Sequence, residues 1–511
     1  MSLYTRERAR RSMFHTAAFR VISQGATLIG FVVMVRGMSE HDFGVFHLLY
    51  AVIPLISAGA SFGLEHVLRR YQPEYLSQNR RPAAAWLVRF VSRARFGTNL
   101  VVLGLIFAGW HVITPIFKLE PYRGEFVFFS ALILLFFQFR VLEISLSSHM
   151  LHRYSMGAQA GVAIVKLIGY STFTLLGDLS LQNAILSDTL AYGLAYSAMY
   201  IVHRRLCTPG SKILSPPLSK EERKRLFRYG LFYNFNDAGT LTLNAKIDNF
   251  FIAAILDPIA VGIYSFYLRL SEMARHTLPI NTFANVVRPV FFAIPQDQAA
   301  QRIPRYFTLL LNTSLVVQIP LTAFALSFHR EIVLFVFGGM YISYSWLFPL
   351  TMLFVTLNTI SKPVTLAAQY AERAAIILIS KIFGIYNIIA LLALIPVLGV
   401  YGAALASGSG SVLKNLFIWW HVRHIARWNN WHSLILATAG YWGTFFVLTV
   451  IIKSAAAWPP LAILAAGGTV WVVFFLAFLR SQALSESDRK ILGSIMRGRE
   501  HRILQRLGLA R

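Results

Sequence analysis

Residues 35–49 read "VRGMSEHDFGVFHLL", an apolar run, a polar break at Glu40, His41 and Asp42, then Gly44 and a second apolar run. A related stretch, "AILDPIAVGIYSFYLRL", occupies residues 254–270 and places Gly262 where the first has Gly44, 218 residues on (262 − 44). Tyr264 stands in the place of Phe46. Both breaks separate apolar runs of the length a helix needs to cross a bilayer, about 20 residues. The stretch is therefore read as a tight hairpin between two membrane spans, written twice. Gly44 and Gly262 are expected to permit tight turning where the returning helix starts.

Composition supports that reading. Of 511 residues, 56% are apolar and only 14% charged, with a mean hydropathy of +0.56. A soluble domain carries about 25% charge. The apolar runs are too continuous for a membrane barrel, whose strands alternate over about ten residues. An all-α polytopic membrane protein is expected. The basic start "MSLYTRERARRSMF" leads into a long apolar run without a small-residue cleavage site, so no cleaved signal is expected. Cys207 is the only cysteine, which excludes a disulfide framework and a multi-cysteine metal site. No cofactor and no metal are expected.

Apolar segments predict about fourteen spans, near 13–35, 43–63, 96–115, 126–149, 155–176, 181–202, 229–255, 260–287, 306–327, 342–360, 374–395, 400–420, 433–452 and 459–479. With both termini inside, the inner segments hold 35 Lys and Arg and the outer ones five: Arg36, Lys118, Arg123, Arg330 and Lys453. That asymmetry is the positive-inside rule. It accounts for most of the net charge of +26, so a nucleic-acid partner is not needed to explain it. Contact with membrane lipids is expected instead. The predicted organisation is an N-lobe over 1–203, a linker and helix start over 204–228, a C-lobe over 229–425, two extra spans over 426–480 and a basic tail over 481–511. Ser219 and Glu222 have the spacing of a capping box. The tail has the pattern of an amphipathic helix on the inner leaflet.

A weaker repeat pairs "LLGDLSLQNAI" (175–185) with "VLGVYGAALA" (397–406). A six-span offset preserves orientation, which predicts two parallel six-helix lobes around a central cavity, a transporter pattern. At this point the residues resemble a known family. "VRGMSEHDFGVFHLL" is similar to the first-hairpin signature of polysaccharide flippases in the multidrug/oligosaccharidyl-lipid/polysaccharide exporter superfamily: an Arg, a short polar turn, Asp-Phe-Gly and an aromatic. "KIDNFFIAAILDPIAVGIYSFYLRL" (246–270) resembles the span 7–8 signature, and "VLGVYGAALA" the start of span 12. The resemblance covers roughly residues 10–430. It departs at His41 and in the long connection after span 6. It implies a flippase, not an enzyme, that moves an undecaprenyl-diphosphate-linked oligosaccharide from the inner to the outer leaflet of a bacterial cytoplasmic membrane by alternating access. That places it in the synthesis of a surface polysaccharide such as the O-antigen of lipopolysaccharide or an exopolysaccharide, beside polymerase and assembly proteins.

Charged residues within spans point independently to a polar cargo. Eight are cations (Arg20, Arg140, Lys166, Lys246, Arg269, Arg275, Lys381 and Lys414) and five are acids (Glu143, Asp188, Asp237, Asp248 and Glu272). Each cation facing lipid would cost roughly 2.5–3.5 kcal/mol. They should face a cavity, pair, or snorkel towards an interface. Arg140 and Glu143 are three apart and predict a pair; Arg269, Glu272 and Arg275 predict a triad at i, i+3, i+6. In the family, spans 1, 2, 7 and 8 border the cavity, so Arg20 and Arg269 are expected to contact the cargo phosphates, supported by Arg36, Lys246 and Arg275. Guanidinium suits phosphate because its fork matches two oxygens. Asp188, Asp248 and Glu272 are the candidates for ion coupling, the first two with a partner on another helix as the plain alternative. A drug exporter of the same superfamily would want an acidic cavity, which eight cations against five acids disfavour. A polysaccharide polymerase or glycosyltransferase would want a sizeable outer loop or an Asp-x-Asp pair, and neither occurs. No Walker pattern is present.

Overall fold

The computed structural model describes residues 6–207, 218–276, 294, 296–429, 431–455, 458–480 and 489, with side chains from Ala18 onward. Among them every regular element is helical. Among the described residues, ten helical segments are long and apolar enough to cross a membrane. The chain divides into two compact units, residues 1–262 and 263–511.

The first unit begins with α1 (Arg6–Gly37) and α2 (Glu40–Ala60), separated by two residues. Ser39 caps α2 by accepting the Asp42 amide, with Glu40 and Asp42 in the first turn. The polar break is thus helix-start chemistry: a capping hydroxyl and acids at the positive end of a helix. Next come α3 (Leu64–Ser77) and α4 (Arg81–Ala108). The sequence reading treated 64–95 as an inner loop, and the structure corrects it. Val67, Leu68, Tyr71, Tyr75 and Leu76 form a buried helical stripe against Leu87, Val88 and Val91. This is amphipathic spacing, too short and too charged to suggest a span.

The unit continues through α5 (Arg123–Ser148), α6 (His152–Leu175) and α7 (Leu181–Leu206). Phe139, Leu142 and Leu146 of α5 pack with Val162 of α6 and Ala191, Ala195 and Met199 of α7. Ser219 caps α8 (Lys220–Leu241) through the expected capping box with Glu222. Glu222 also binds Arg80 through both oxygens, at 2.6 and 3.2 Å. The expected continuous span over 229–255 is broken: α8 ends at Leu241 and α9 (Ala245–Ile255) starts afresh, with Asn244 accepting the Lys246 amide. The break leaves backbone groups that must be satisfied locally, and the Asn244 cap satisfies one of them. Helices α8 and α9 both pack on α2 in the first unit.

Next is α10 (Pro258–His276); the rest of the predicted eighth span, with Pro279 and Pro289, lies outside the described residues, as does the tail apart from Arg489. The second unit is organised by α11 (Ala299–Phe337), 39 residues long and bent at Phe328, whose φ of −125° departs from helix. At 1.5 Å per residue it is about 58 Å long, well beyond a bilayer, so it exceeds its predicted span of 306–327 at both ends. It is followed by α12 (Leu347–Leu357), α13 (Ser361–Tyr370), α14 (Ala374–Ile379), α15 (Phe383–Leu398) and α16 (Val400–Val422). The last two helices, α17 (Trp431–Ala455) and α18 (Pro460–Arg480), pack on α11. There Trp471 donates to the Pro320 carbonyl at 2.9 Å, and Lys453 pairs with Glu331 at 2.7 Å.

The weaker repeat holds at its glycines. Gly177 and Gly399 both have positive φ, 72° and 56°, at the turns before α7 and α16. An L side chain is disfavoured there. The small-residue run "ASGSGS" packs closely: Ser407 donates to Asn387 at 3.2 Å, and a Cβ on Gly408 would meet the Phe354 ring at 2.2 Å.

Cys207 follows the last turn of α7 and is half-buried. Burial pushes its thiol up to about 12. At pH 8 its thiolate fraction is then roughly a thousandfold below that of a free cysteine. A thiol-specific fluorophore is expected to label the folded protein far more slowly than the detergent-unfolded chain. Equal rates would show that the thiol is not buried.

Candidate functional site

Composition separates the helices before any side chain is considered. The stretches 18–37, 40–60, 81–108, 120–148, 181–206, 299–337, 347–370, 375–398, 434–454 and 460–480 are apolar enough for lipid. Helices α6, α8, α10 and α16 are absent from that group, and α9, at 11 residues, is too short to belong to it. The acids and cations within these helices need water, cargo or a partner.

One such requirement is met inside the first unit. Asp188 of α7 is fully buried, and Lys166 of α6 reaches it at 2.6 Å. The Tyr170 hydroxyl donates to its other oxygen at 2.5 Å, and the Tyr50 hydroxyl of α2 donates as well. Lys166 also lies 5.0 Å from the Tyr192 ring centre. Lys166 therefore neither snorkels nor stands alone; it is one half of an ion pair ringed by phenols. A second cluster joins α3, α5 and α6. Arg140 binds Glu65 at 3.1 Å and Glu143 at 3.6 Å, and Gln159 donates to Glu143 at 2.7 Å. The predicted Arg140–Glu143 pair exists, with Glu65 as a third member that spacing could not reveal.

The predicted cargo cations are placed differently. Arg20 is exposed midway along α1, and Arg36 is exposed in its last turn. Lys246 is exposed in the first turn of α9, just after the helix break, while Asp248 in the same turn is buried. The two face different ways, as their spacing requires. Arg269 and Glu272 of α10 are half-buried and Arg275 is exposed. Among the described residues no ion pair links Arg269, Glu272 and Arg275, so the predicted triad does not form. Arg20 belongs to the first unit and Arg269 to the second. No group of three or more His, Cys, Asp or Glu able to hold a metal occurs among the described residues.

Sequence reasoning missed Arg95, which it counted with the inner loop. Arg95 is fully buried on α4, its guanidinium carbon 3.9 Å from the centre of the Phe137 ring. The signal lay in α4 itself, whose helical pattern starts at Arg81, well before the apolar run at 96.

A family model described as "Polysaccharide biosynthesis protein" matches residues 33–346. Among solved structures, the lipid II flippase MurJ in an inward closed conformation is similar in fold, with a TM-score of 0.68 and 12% identity over 91% of this chain and 97% of that one. An inward-facing multidrug resistance MATE family transporter of the MOP superfamily gives a TM-score of 0.64 and 13% identity over 80% of this chain and 98% of that one. No curated protein matches the sequence at comparable significance. Identities this low show a shared fold.

Proposed function

The chain belongs to the polysaccharide biosynthesis protein family, and on that premise we propose that it flips a lipid-linked oligosaccharide across a bacterial cytoplasmic membrane. The cargo is an undecaprenyl-diphosphate-linked sugar repeat, carried from the inner to the outer leaflet by alternating access. Both termini lie inside.

The observation that carries this reading is the broken helix at Thr242–Asn244, with Lys246 exposed on the first turn of α9. Discontinuous helices at membrane depth are where transporters bind polar cargo, and a half-helix N-terminus favours an anion. Arg20, Arg36, Arg269 and Arg275 extend the same chemistry along α1 and α10 as contacts for a diphosphate. Arg20, Arg269 and Arg275 take no part in the ion pairs that hold Lys166 and Arg140. MurJ, named as a lipid II flippase, offers a precedent for this fold handling a lipid-linked cargo. Asp188, Asp248 and Glu272 remain the groups through which an ion would drive the cycle. Asp188 reaches that role only by changing its contact with Lys166.

The test is a depletion strain in which the lipid-linked intermediate is assayed by leaflet. Accumulation on the inner side is expected; normal display on the outer side would sink the proposal. Arg269→Glu is expected to lower outer-leaflet display at least tenfold while the protein still inserts. Unchanged display would remove Arg269 from the cargo path.

A further inference from the structure

The cluster of α3, α4, α5 and α6 contains an imbalance. Arg140 has two carboxylates, Glu65 at 3.1 Å and Glu143 at 3.6 Å. Arg95 has none: all three of its guanidinium nitrogens are buried without a hydrogen-bond partner, and so are both polar atoms of Asn99, one helical turn on. The Phe137 ring is a weak substitute for a carboxylate. An unpaired buried charge is among the costliest features a protein interior can carry. Glu65 and Arg140 are nevertheless close enough for their charges to act on Arg95. Moving Glu65 alone would correct the imbalance. It would leave Arg140 with Glu143, which Gln159 already holds at 2.7 Å, and give Arg95 an acid of its own. Glu65 is suited to such a move. It opens α3, directly after a corner where Phe62 and Gly63 both have positive φ, 48° and 65°.

We propose that Glu65 is a shared carboxylate that alternates between Arg140 and Arg95, so that the first unit has two charge arrangements differing at the α2–α3 corner. Arg95 is then a reserve partner, and Asn99 completes its site by accepting one guanidinium N–H and donating to the arriving carboxylate. The arrangement described here is the one with Glu65 on Arg140. A change at this corner is transmitted, because Gly63 abuts the Gly230 carbonyl of α8 and His66 pairs with Asp237 of α8 at 2.8 Å. The carboxylate position would thereby bias the helix that leads into the break before α9. This inference rests on charge geometry within one unit and holds whatever the cargo.

The experiment is a double-mutant cycle on the full chain, unfolded by SDS titration in mixed micelles. Arg140→Met alone is expected to be mild, because Arg95 takes Glu65 over. In an Arg95→Met background the same change strands Glu65. The combined effect on the unfolding constant should then exceed the product of the single effects at least tenfold. Arg95→Met alone should not destabilise the protein, since it removes an unpaired buried charge. The control is Glu65→Gln, in which the shared carboxylate is gone and the two arginine substitutions should become independent. Independence of the two substitutions with Glu65 present overturns the proposal. So does an excess that persists in Glu65→Gln, because Glu65 would not then be the mediator.

Discussion

Replacing Gly44 with valine is expected to leave little folded protein in the membrane. A Cβ at this position would lie 1.8 Å from the Pro258 carbonyl oxygen and 2.6 Å from its carbon, with the Gly262 amide nitrogen at 3.3 Å. All three residues belong to the first unit. The obstructing atoms are backbone, so no rotamer change makes room and the helix must move bodily. Overpacking typically costs 1–3 kcal/mol, and a clash with fixed backbone belongs at or above about 3 kcal/mol. Gly44→Ala adds the same first carbon and should fail in the same direction, less severely. The measurement is the fraction recovered monodisperse in mild detergent, with its apparent melting temperature. Gly25→Ala is the control: nothing lies within 4 Å of its Cβ, and the added helix propensity is worth up to about 1 kcal/mol. A Gly44→Val protein that melts with the parent would show that α2 does not approach Pro258 this closely.

That result would also revise why the motif is written twice. Its sequence suggests two tight turns, but Gly44 lies inside α2 and has no positive φ. What it supplies is absence of bulk, and the neighbour that demands it is the second copy of the motif. The repeated hairpins are thus in contact through their glycines. A reading confined to one stretch cannot see this, since the partner lies 218 residues away (262 − 44). Features with a local cause were legible: the Ser219–Glu222 capping box and the apolar runs that became helices. The break before α9 was locally written too, as Asn244 just ahead of a helical repeat, but the apolar residues around it masked the cap.

Charges divide in the same way. Arg140 and Glu143 could be paired from their spacing, because a helix brings i and i+3 together. Lys166 and Asp188 are 22 apart (188 − 166) on neighbouring helices, and Tyr50 is a further helix away, so only packing reveals the group. Arg95 was hidden by a boundary set on hydropathy: the segment 81–95 is too basic to look like a span, yet it is the first half of α4. Electrostatic contacts between helices are fixed by register, and register is a property of the folded core rather than of any one run of sequence.

The Lys166–Asp188 pair permits a prediction that separates structure from transport. Asp188→Leu alone should destabilise the protein by about 3–5 kcal/mol, the usual result of breaking a buried pair and stranding its partner. Lys166 would be left beside Tyr50, Tyr170 and Tyr192 with no carboxylate. Adding Lys166→Met removes the stranded charge. Replacing both members of a buried pair with apolar residues is often neutral or stabilising, so the double variant should recover most of the loss in an SDS titration. Failure to recover would mean that the phenol hydroxyls, rather than the ammonium, set the cost of removing Asp188. Transport then reads the other half of the question. If Asp188 couples an ion to the cycle, the stable double variant inserts normally but leaves the lipid-linked intermediate on the inner leaflet. If the pair only locks α6 to α7, outer-leaflet display returns together with stability, and the coupling group must be sought at Asp248 or Glu272.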